Sequence, residues 1–325
     1  MRSSWTTLAL TLATALPFAL WLAPAGAQDF PNKPIRMIVP VPPGGTGDMV
    51  SRLFANAAAK DLGQSIVVEN RPGATGNIGT VAAVKSPADG YTIFLCSIGN
   101  CAVNASLYAN PGYDLFKDVA PVALLGYSIN VLTVGPQTGI NTLPELLTKA
   151  RAGQLSYASS GVGASNHLGG EMLKKVTGVP LLHVPYKGSG PAITDLLGGQ
   201  VQVFFDNEPS ILPFIKSNRV KPLAVTGKTR SANLPEVPTM EELGYKGFVI
   251  EPWYAIGAPA GTPPAIVDRL NTAFNRALQD ATVRKTLQEA GISVGGGNAA
   301  AFAQHMRLEH DKWAELIRAQ KITAE

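Results

Sequence analysis

Short apolar runs rich in β-branched residues alternate with stretches at helical spacing through the first two-thirds of the chain. That alternation predicts α/β layers with largely parallel strands. The runs are Ile35–Val39, Ile66–Glu69, Thr92–Cys96, Val122–Leu125, Asn130–Val134, Leu155–Ala158, Leu181–Val184, Val201–Phe205, Leu223–Val225 and Trp253–Ala258. Between the first two, Asp48–Leu62 puts Met49, Leu53 and Ala57 on one helical face and stops at Gly63. Thr142–Ala152 opens on a capping threonine, carries Pro144 and Glu145 in its first turn and stops at Gly153. The last third is different: Pro263–Gln279, Ala281–Ala290 and Ala299–Gln320 read as three successive helices, which wrap a finished sheet rather than build one. No long polar linker divides the chain, so two domains would be joined by paired crossings, near Gly126–Asn130 and Gly244–Glu251.

Residues 1–27 set the compartment. Arg2 is their only charged side chain, an apolar segment runs from Leu8 to Leu22, and Ala25-Gly26-Ala27 has the small-x-small pattern of a signal-peptide cleavage site. The apolar run is shorter than the roughly 20 residues a bilayer requires and contains Pro17, which argues for a cleaved export signal over a membrane anchor. The 298 residues that remain of 325 are enough for about two domains, and without Arg2 the net charge falls from +4 to +3. The basic residues are scattered, so nucleic acid is not an expected partner. Cys96 and Cys101 stand five apart at a strand end, and two readings are open: one small-loop disulfide, or two buried thiols.

The turns after the strands carry the candidate chemistry. Pro43-Gly44-Gly45-Thr46-Gly47-Asp48 follows the first strand, Asn70–Asn77 the second, Ser97–Asn100 the third, and Ser159–Asn166 a later one. In open α/β sheets ligands bind beyond the carboxyl ends of strands, where glycine lets the backbone come close and hydroxyls supply neutral donors. The first N–H groups of a helix lack intrahelical partners and carry the positive end of the helix dipole, so Gly44, Gly45, Thr46 and Gly47 form an expected anion cradle. Val50 stands where a dinucleotide fingerprint wants its third glycine, and no GxxxxGK[ST] occurs, so a carboxylate is a better candidate than a nucleotide. Asp48 is either a helix-start carboxylate or a ligand contact; Asp206 is either a cap before Pro209 or a cleft residue. Lys187 is a candidate to steer an acidic ligand, and Trp253 and Tyr254 are expected in the core or at a domain interface.

Catalysis needs a nucleophile with a base, an acid–base pair or a metal. His305 and His310 are five apart, so they diverge on a helix and are expected to face solvent. Gly163-Ala164-Ser165-Asn166-His167 resembles half a nucleophile elbow without its closing glycine, and nothing in the sequence identifies an acid to orient His167 or His183. An exported serine hydrolase using Ser165 and His167 is therefore the alternative reading, and the expectation is no catalytic residue, no metal and no cofactor.

The chain resembles the tripartite tricarboxylate transporter receptors, extracytoplasmic substrate-binding proteins also called Bug proteins. The segments that carry the resemblance are FPNKPIRMIVPVPPGGTGDMVSRL, VVENRPGATGNIGT, SPADGYTIFL, YASSGVGASNHLGGE, HVPYKGSGPAITDLLGGQVQVFFDN, LPEVPTMEELGY and WYAIGAPAGTP, in that order. It implies a type II-like periplasmic-binding-protein fold: residues 28–128 and 248–325 in one α/β domain, 129–247 in the other, each with a mostly parallel sheet flanked by helices, and a ligand cleft between them. It implies capture of a mono-, di- or tricarboxylate, aromatic acids included, by a periplasmic monomer that delivers it to integral membrane transporter subunits. The ligand contacts it implies are Gly44, Gly45, Thr46 and Asp48, then Ser159, Ser160, Gly161, Gly163, Ser165 and His167. Ser97, Gly99, Asn100 and Asp206 join them as cleft residues. Cys96 and Cys101 depart from the family's usual residues.

Overall fold

The structure, a computed structural model, describes residues 30–153 and 155–324; the expected export signal at 1–27 lies outside them. Eleven strands and ten α-helices form in the order β1 (Ile35–Val39), α1 (Thr46–Leu62), β2 (Ile66–Asn70), α2 (Asn77–Val84), β3 (Thr92–Ser97), α3 (Asn104–Leu107), β4 (Val119–Tyr127) and β5 (Asn130–Val134) among the described residues. There follow α4 (Leu143–Ala152), β6 (Leu155–Ser159), α5 (Ser165–Thr177), β7 (Leu181–Pro185), α6 (Ser189–Gly198), β8 (Val203–Asn207), α7 (Glu208–Lys216) and β9 (Lys221–Val225). The chain ends with β10 (Trp253–Pro259), α8 (Pro264–Ala277), α9 (Ala281–Glu289), β11 (Ser293–Val294) and α10 (Ala299–Gln320).

The strands divide into two sheets, ordered β11-β4-β10-β3-β1-β2 and β7-β6-β8-β5-β9. These sheets are mixed rather than mostly parallel. β1 runs parallel to β2 and β3, and β6 parallel to β7 and β8, but β10 is antiparallel to β3 and β4, and β5 to β8 and β9. The reason lies in the crossings. β5 and β10 each arrive from the other sheet instead of through a covering helix, so the handed βαβ connection that enforces parallel pairing does not apply to them. The crossings lie side by side: Ser128 N–H donates to Pro252 O at 2.7 Å, and Ile250 N–H to Thr226 O at 3.0 Å.

Local chemistry explains the helices that border the site. Helix α1 begins two residues earlier than expected, and its buried stripe is Val50, Phe54, Ala57 and Ala58, with Met49 and Leu53 half-buried beside it. Gly63 ends it in the left-handed conformation, φ 68°, with its N–H on Ala59 O. Thr142 caps α4 by accepting from Glu145 N–H while the Glu145 carboxylate accepts from Asn141 N–H, a reciprocal box. In the first sheet Trp253 and Phe94 are fully buried, with Trp313 and Phe302 of α10 beneath; in the second, Phe204 and Val131 pack on Ile211 and Leu196.

Cys96 and Cys101 form a disulfide, with Cα atoms 5.4 Å apart. Replacing both by alanine is expected to lower stability by about 2 kcal/mol in urea unfolding, the loop-closure term for so short a loop.

Candidate functional site

The turn after β1 is a braced one. Gly44 N–H donates to Asp48 Oδ2 at 3.0 Å, Asn70 Nδ2 donates to Asp48 Oδ1 at 2.9 Å and to Val41 O at 3.1 Å, and Arg52 Nε reaches both Asp48 oxygens at 3.1 Å. Burial opposes ionisation of Asp48, but the hydrogen bonds from Arg52, Gly44 and Asn70 outweigh it and hold the carboxyl below the usual range. Asp48, expected among the ligand contacts, is thus occupied inside the protein; it fixes the loop. Gly44 is exposed at φ 83°, while Gly45 is extended with open space around its Cα. The helix begins at Thr46, so the N–H groups at this end have no intrahelical acceptor.

After β2 the backbone is strained: Ala74 and Thr75 sit at φ 45° and 49° between Gly73 and Gly76. Non-glycine residues hold such angles only where surroundings fix them, and here Asn104 Nδ2 donates to Thr75 O at 2.9 Å. After β3, Asn100 is buried and fully engaged, accepting from Ser97 N–H and Ser97 Oγ and donating to Thr80 Oγ1 and Leu95 O. The neighbouring Gly99 lies against Thr75. Ser97 and Asn100 therefore shape this turn from within.

In the second sheet, the turn between β6 and α5 is built the same way. Asn166 Oδ1 accepts from Ser160 N–H at 3.0 Å and its Nδ2 donates to Ser160 Oγ. Gly161 N–H donates to Ser159 Oγ, which pairs with His183 Nε2 at 2.6 Å. Gly163 N–H donates to His167 Nδ1 at 3.0 Å, whereas Ser165 Oγ donates to Asn130 Oδ1. Ser165 and His167 turn to different partners, so they do not form the pair that the hydrolase reading needs. The His167 ring stacks on His183 with centroids 4.1 Å apart, and burial pushes them down to about 4 and about 3, leaving both neutral.

Asp206 lies inside β8, opposite Val131 of β5, so it is not the cap of α7. Its side chain has no exposed surface; Oδ1 accepts from Ser189 Oγ at 2.7 Å and Oδ2 has no partner.

The turns of the two sheets touch. Thr46 Oγ1 and Ser210 Oγ of α7 are 2.8 Å apart, Thr75 Oγ1 donates to Val162 O at 2.5 Å, and Pro42 packs against Gly188. A Cβ at Gly163 would fall 2.4 Å from Leu107, so glycine is what lets these loops close. Tyr254 of β10 is buried beside Thr46 and within the field of Asp206. A groove of about 540 Å³ opens here, lined by Gly44, Ser189, Ile193, Ser210, Phe214 and Arg219.

Sequence reasoning missed Ser189 and Ser210, held Thr75 only as part of its turn, and placed Tyr254 in the core or at an interface, where it is buried. Lys187-Gly188-Ser189-Gly190 is a fifth strand-end turn with the composition of the other four, and that signal marks Ser189. Lys187 itself is exposed. His305 and His310, expected in solvent, are half-buried: His305 lies edge-on to Trp253, and His310 Nδ1 is 3.0 Å from Ala102 O. Among the described residues no group of three His, Cys, Asp or Glu side chains is placed to hold a metal, and no helix is long and apolar enough to cross a membrane.

The family model of the tripartite tricarboxylate transporter family receptor matches residues 50–322. The chain belongs to that receptor family. BugT of Bordetella pertussis is 41% identical over 303 residues, 91% of this chain and 92% of that protein. Among solved structures, a Rhodopseudomonas palustris protein with adipate superposes with TM-score 0.87 at 36% identity, covering 91% of this chain and 99% of its own. The periplasmic binding protein BugD gives 0.86 at 35%, covering 90% and 99%, and MatC from R. palustris with bound malate gives 0.84 at 30%, covering 89% and 100%. This receptor thus has the two-domain α/β fold of periplasmic binding proteins, with mixed sheets.

Proposed function

We propose that this receptor is a periplasmic, non-catalytic monomer that captures a small carboxylate and hands it to a tripartite tricarboxylate-type membrane transporter. The observation that carries this reading is the meeting of five strand-end turns from two sheets around the start of α1, whose first N–H groups have no intrahelical acceptor. The nearby Arg52 guanidinium is engaged by Asp48 and Asn70, so Arg219 is the cation on the groove wall and neutral donors supply the rest. The adipate and malate in two structural relatives favour an aliphatic dicarboxylate. In this reading residues 28–128 and 248–325 form one lobe and 129–247 the other, residues 1–27 are removed on export, and the crossings at Ser128 and Pro252 form the hinge. Gly44, Gly45, Thr46, Gly161, Gly163 and Asp206 contact the ligand or line its path, with Asp48, Asn100 and His167 holding the loops behind. Ligand shifts the open–closed equilibrium by touching both lobes only when they are together.

A thermal-shift screen over mono-, di- and tricarboxylates tests the reading. A true ligand at a hundredfold over its Kd adds about 2.7 kcal/mol of stability; no response to any carboxylate sinks it. Gly45→Trp separates site from fold. The open space around Gly45 accommodates the new Cβ, so the free protein is expected to keep its melting temperature and lose the ligand-induced shift. An undiminished shift removes the loop after β1 from the site.

A further inference from the structure

Asp206 is the one carboxylate among the described residues that is wholly buried with an oxygen lacking any partner. It sits at the carboxyl end of the second sheet's central strand, behind the groove-lining Ser189 and near Thr46 and Tyr254. The elements packed on β8 supply no cation to it. β5 has no ionisable side chain. Tyr157 of β6 donates to Glu171 of α5, which is paired with Lys174, and His167 of α5 accepts from Gly163. Asp195 of α6 accepts from Tyr186, and Glu208 of α7 accepts from Ser231 and Asn233 and lies in the field of Lys216. Beyond β8, Asp48 is held by Arg52, and Tyr254 contributes a phenol whose own ionisation burial suppresses.

We propose that Asp206 is a proton-switched ligand contact: its protonated Oδ2 donates to an oxygen of the bound carboxylate, so that capture takes up one proton. This deepens the receptor reading and rests on it. The physical reason is charge. An ionised Asp206 beside a ligand carboxylate would set two like charges together. The elements packed on β8 supply it no cation, and Arg219 of the groove wall is exposed and lies over Phe214. One shared proton removes the repulsion and satisfies the orphaned oxygen. Burial already pushes Asp206 up to about 7, against the hydrogen bond from Ser189 and the lowering influence of the nearby Asn207 main chain and Asn166 side chain. Above that pH the competent, protonated fraction falls tenfold per pH unit, and the apparent Kd rises in proportion.

The test has a ligand-free arm and a ligand arm. Carbon-13 NMR of aspartate-labelled protein, with Asp206 assigned by its loss in Asp206→Asn, is expected to show a carboxyl titrating near 7; titration near 4 overturns the proposal. Calorimetry with adipate, malate and citrate in buffers of different ionisation enthalpy is expected to show uptake approaching one proton per ligand at pH 8. The Kd should weaken about tenfold from pH 6 to pH 8. Asp206→Asn, which keeps a donor but no titrating proton, should abolish both the uptake and the pH slope. Proton release instead of uptake, the signature of a ligand ammonium paired with ionised Asp206, overturns the proposal. So does binding without any proton linkage, and both of those outcomes leave the receptor reading standing. Absence of binding by all three probes at pH 6 removes the receptor reading and the proposal together.

Discussion

Gly170→Ala is expected to lower the unfolding free energy by about 3 kcal/mol, against the direction helix propensity alone dictates. In an exposed helix this change gains about 1 kcal/mol. Here a Cβ at Gly170 of α5 would stand 2.1 Å from Tyr157 Cε2 and 2.4 Å from Cζ. The Tyr157 ring is fully buried, lies over His183 and donates its hydroxyl to Glu171, so it has no free volume into which to swing. Gly169 is similarly close to Phe205, so the pair lets α5 lie flat on β6 and β8. Overpacking of this kind costs about 1–3 kcal/mol, with rigid aromatic surroundings at the upper end. Urea unfolding measures it, and Gly198→Ala, where nothing lies within 4 Å, is the control that should not destabilise. A Gly170→Ala protein as stable as the parent refutes the close packing of α5.

The second large effect is a loss of stability in mild acid, driven by His167 and His183. Both are kept neutral by burial, at about 4 and about 3 in the folded chain against an ordinary 6.5. The unfolded chain therefore binds more protons than the folded one below 6.5. These histidines contribute full stability above that pH, and the contribution is lost as pH falls from 6.5 toward 4. At about 1.4 kcal/mol per pKa unit, His167 alone accounts for about 3 kcal/mol. Asp206 has the opposite sign: its raised value means the folded state holds a proton the unfolded state releases, so it adds stability as pH falls from 7 to 4. The histidine effect is read cleanly in the Asp206→Asn background, where calorimetric melting should fall steeply between pH 6.5 and 4. His183→Asn in that background should flatten the curve; an unchanged slope would show that the histidines titrate normally.

Much of this was legible in the chain because it is written in local pattern. Ten strands announce themselves as β-branched runs and form within a few residues of the expected bounds, and α10 forms over Ala299–Gln320 as its periodicity dictates. β11 is two residues long, too short for any period to register. Strand direction was not legible, since the residues of β5 and β10 read the same whichever way their neighbours run. The turns stood out by their glycines and hydroxyls, but the partner of a polar side chain is a fact of three dimensions. Asp48 meets Asn70, Asn100 meets Thr80, and Thr46 meets Ser210 across 164 positions. The same reason hid the half-burial of His305 of α10, which depends on Trp253 arriving from β10.

The place of β10 in the first sheet has a kinetic consequence. It lies between β3 and β4, yet its residues follow those of β3 by more than 150 positions, after the whole second sheet has been made. β3 and β4 do not pair with each other, so until β10 arrives the first sheet is two unjoined pieces with bare edges. Such non-local closure makes folding slow. The first sheet therefore closes only when most of the polypeptide is present.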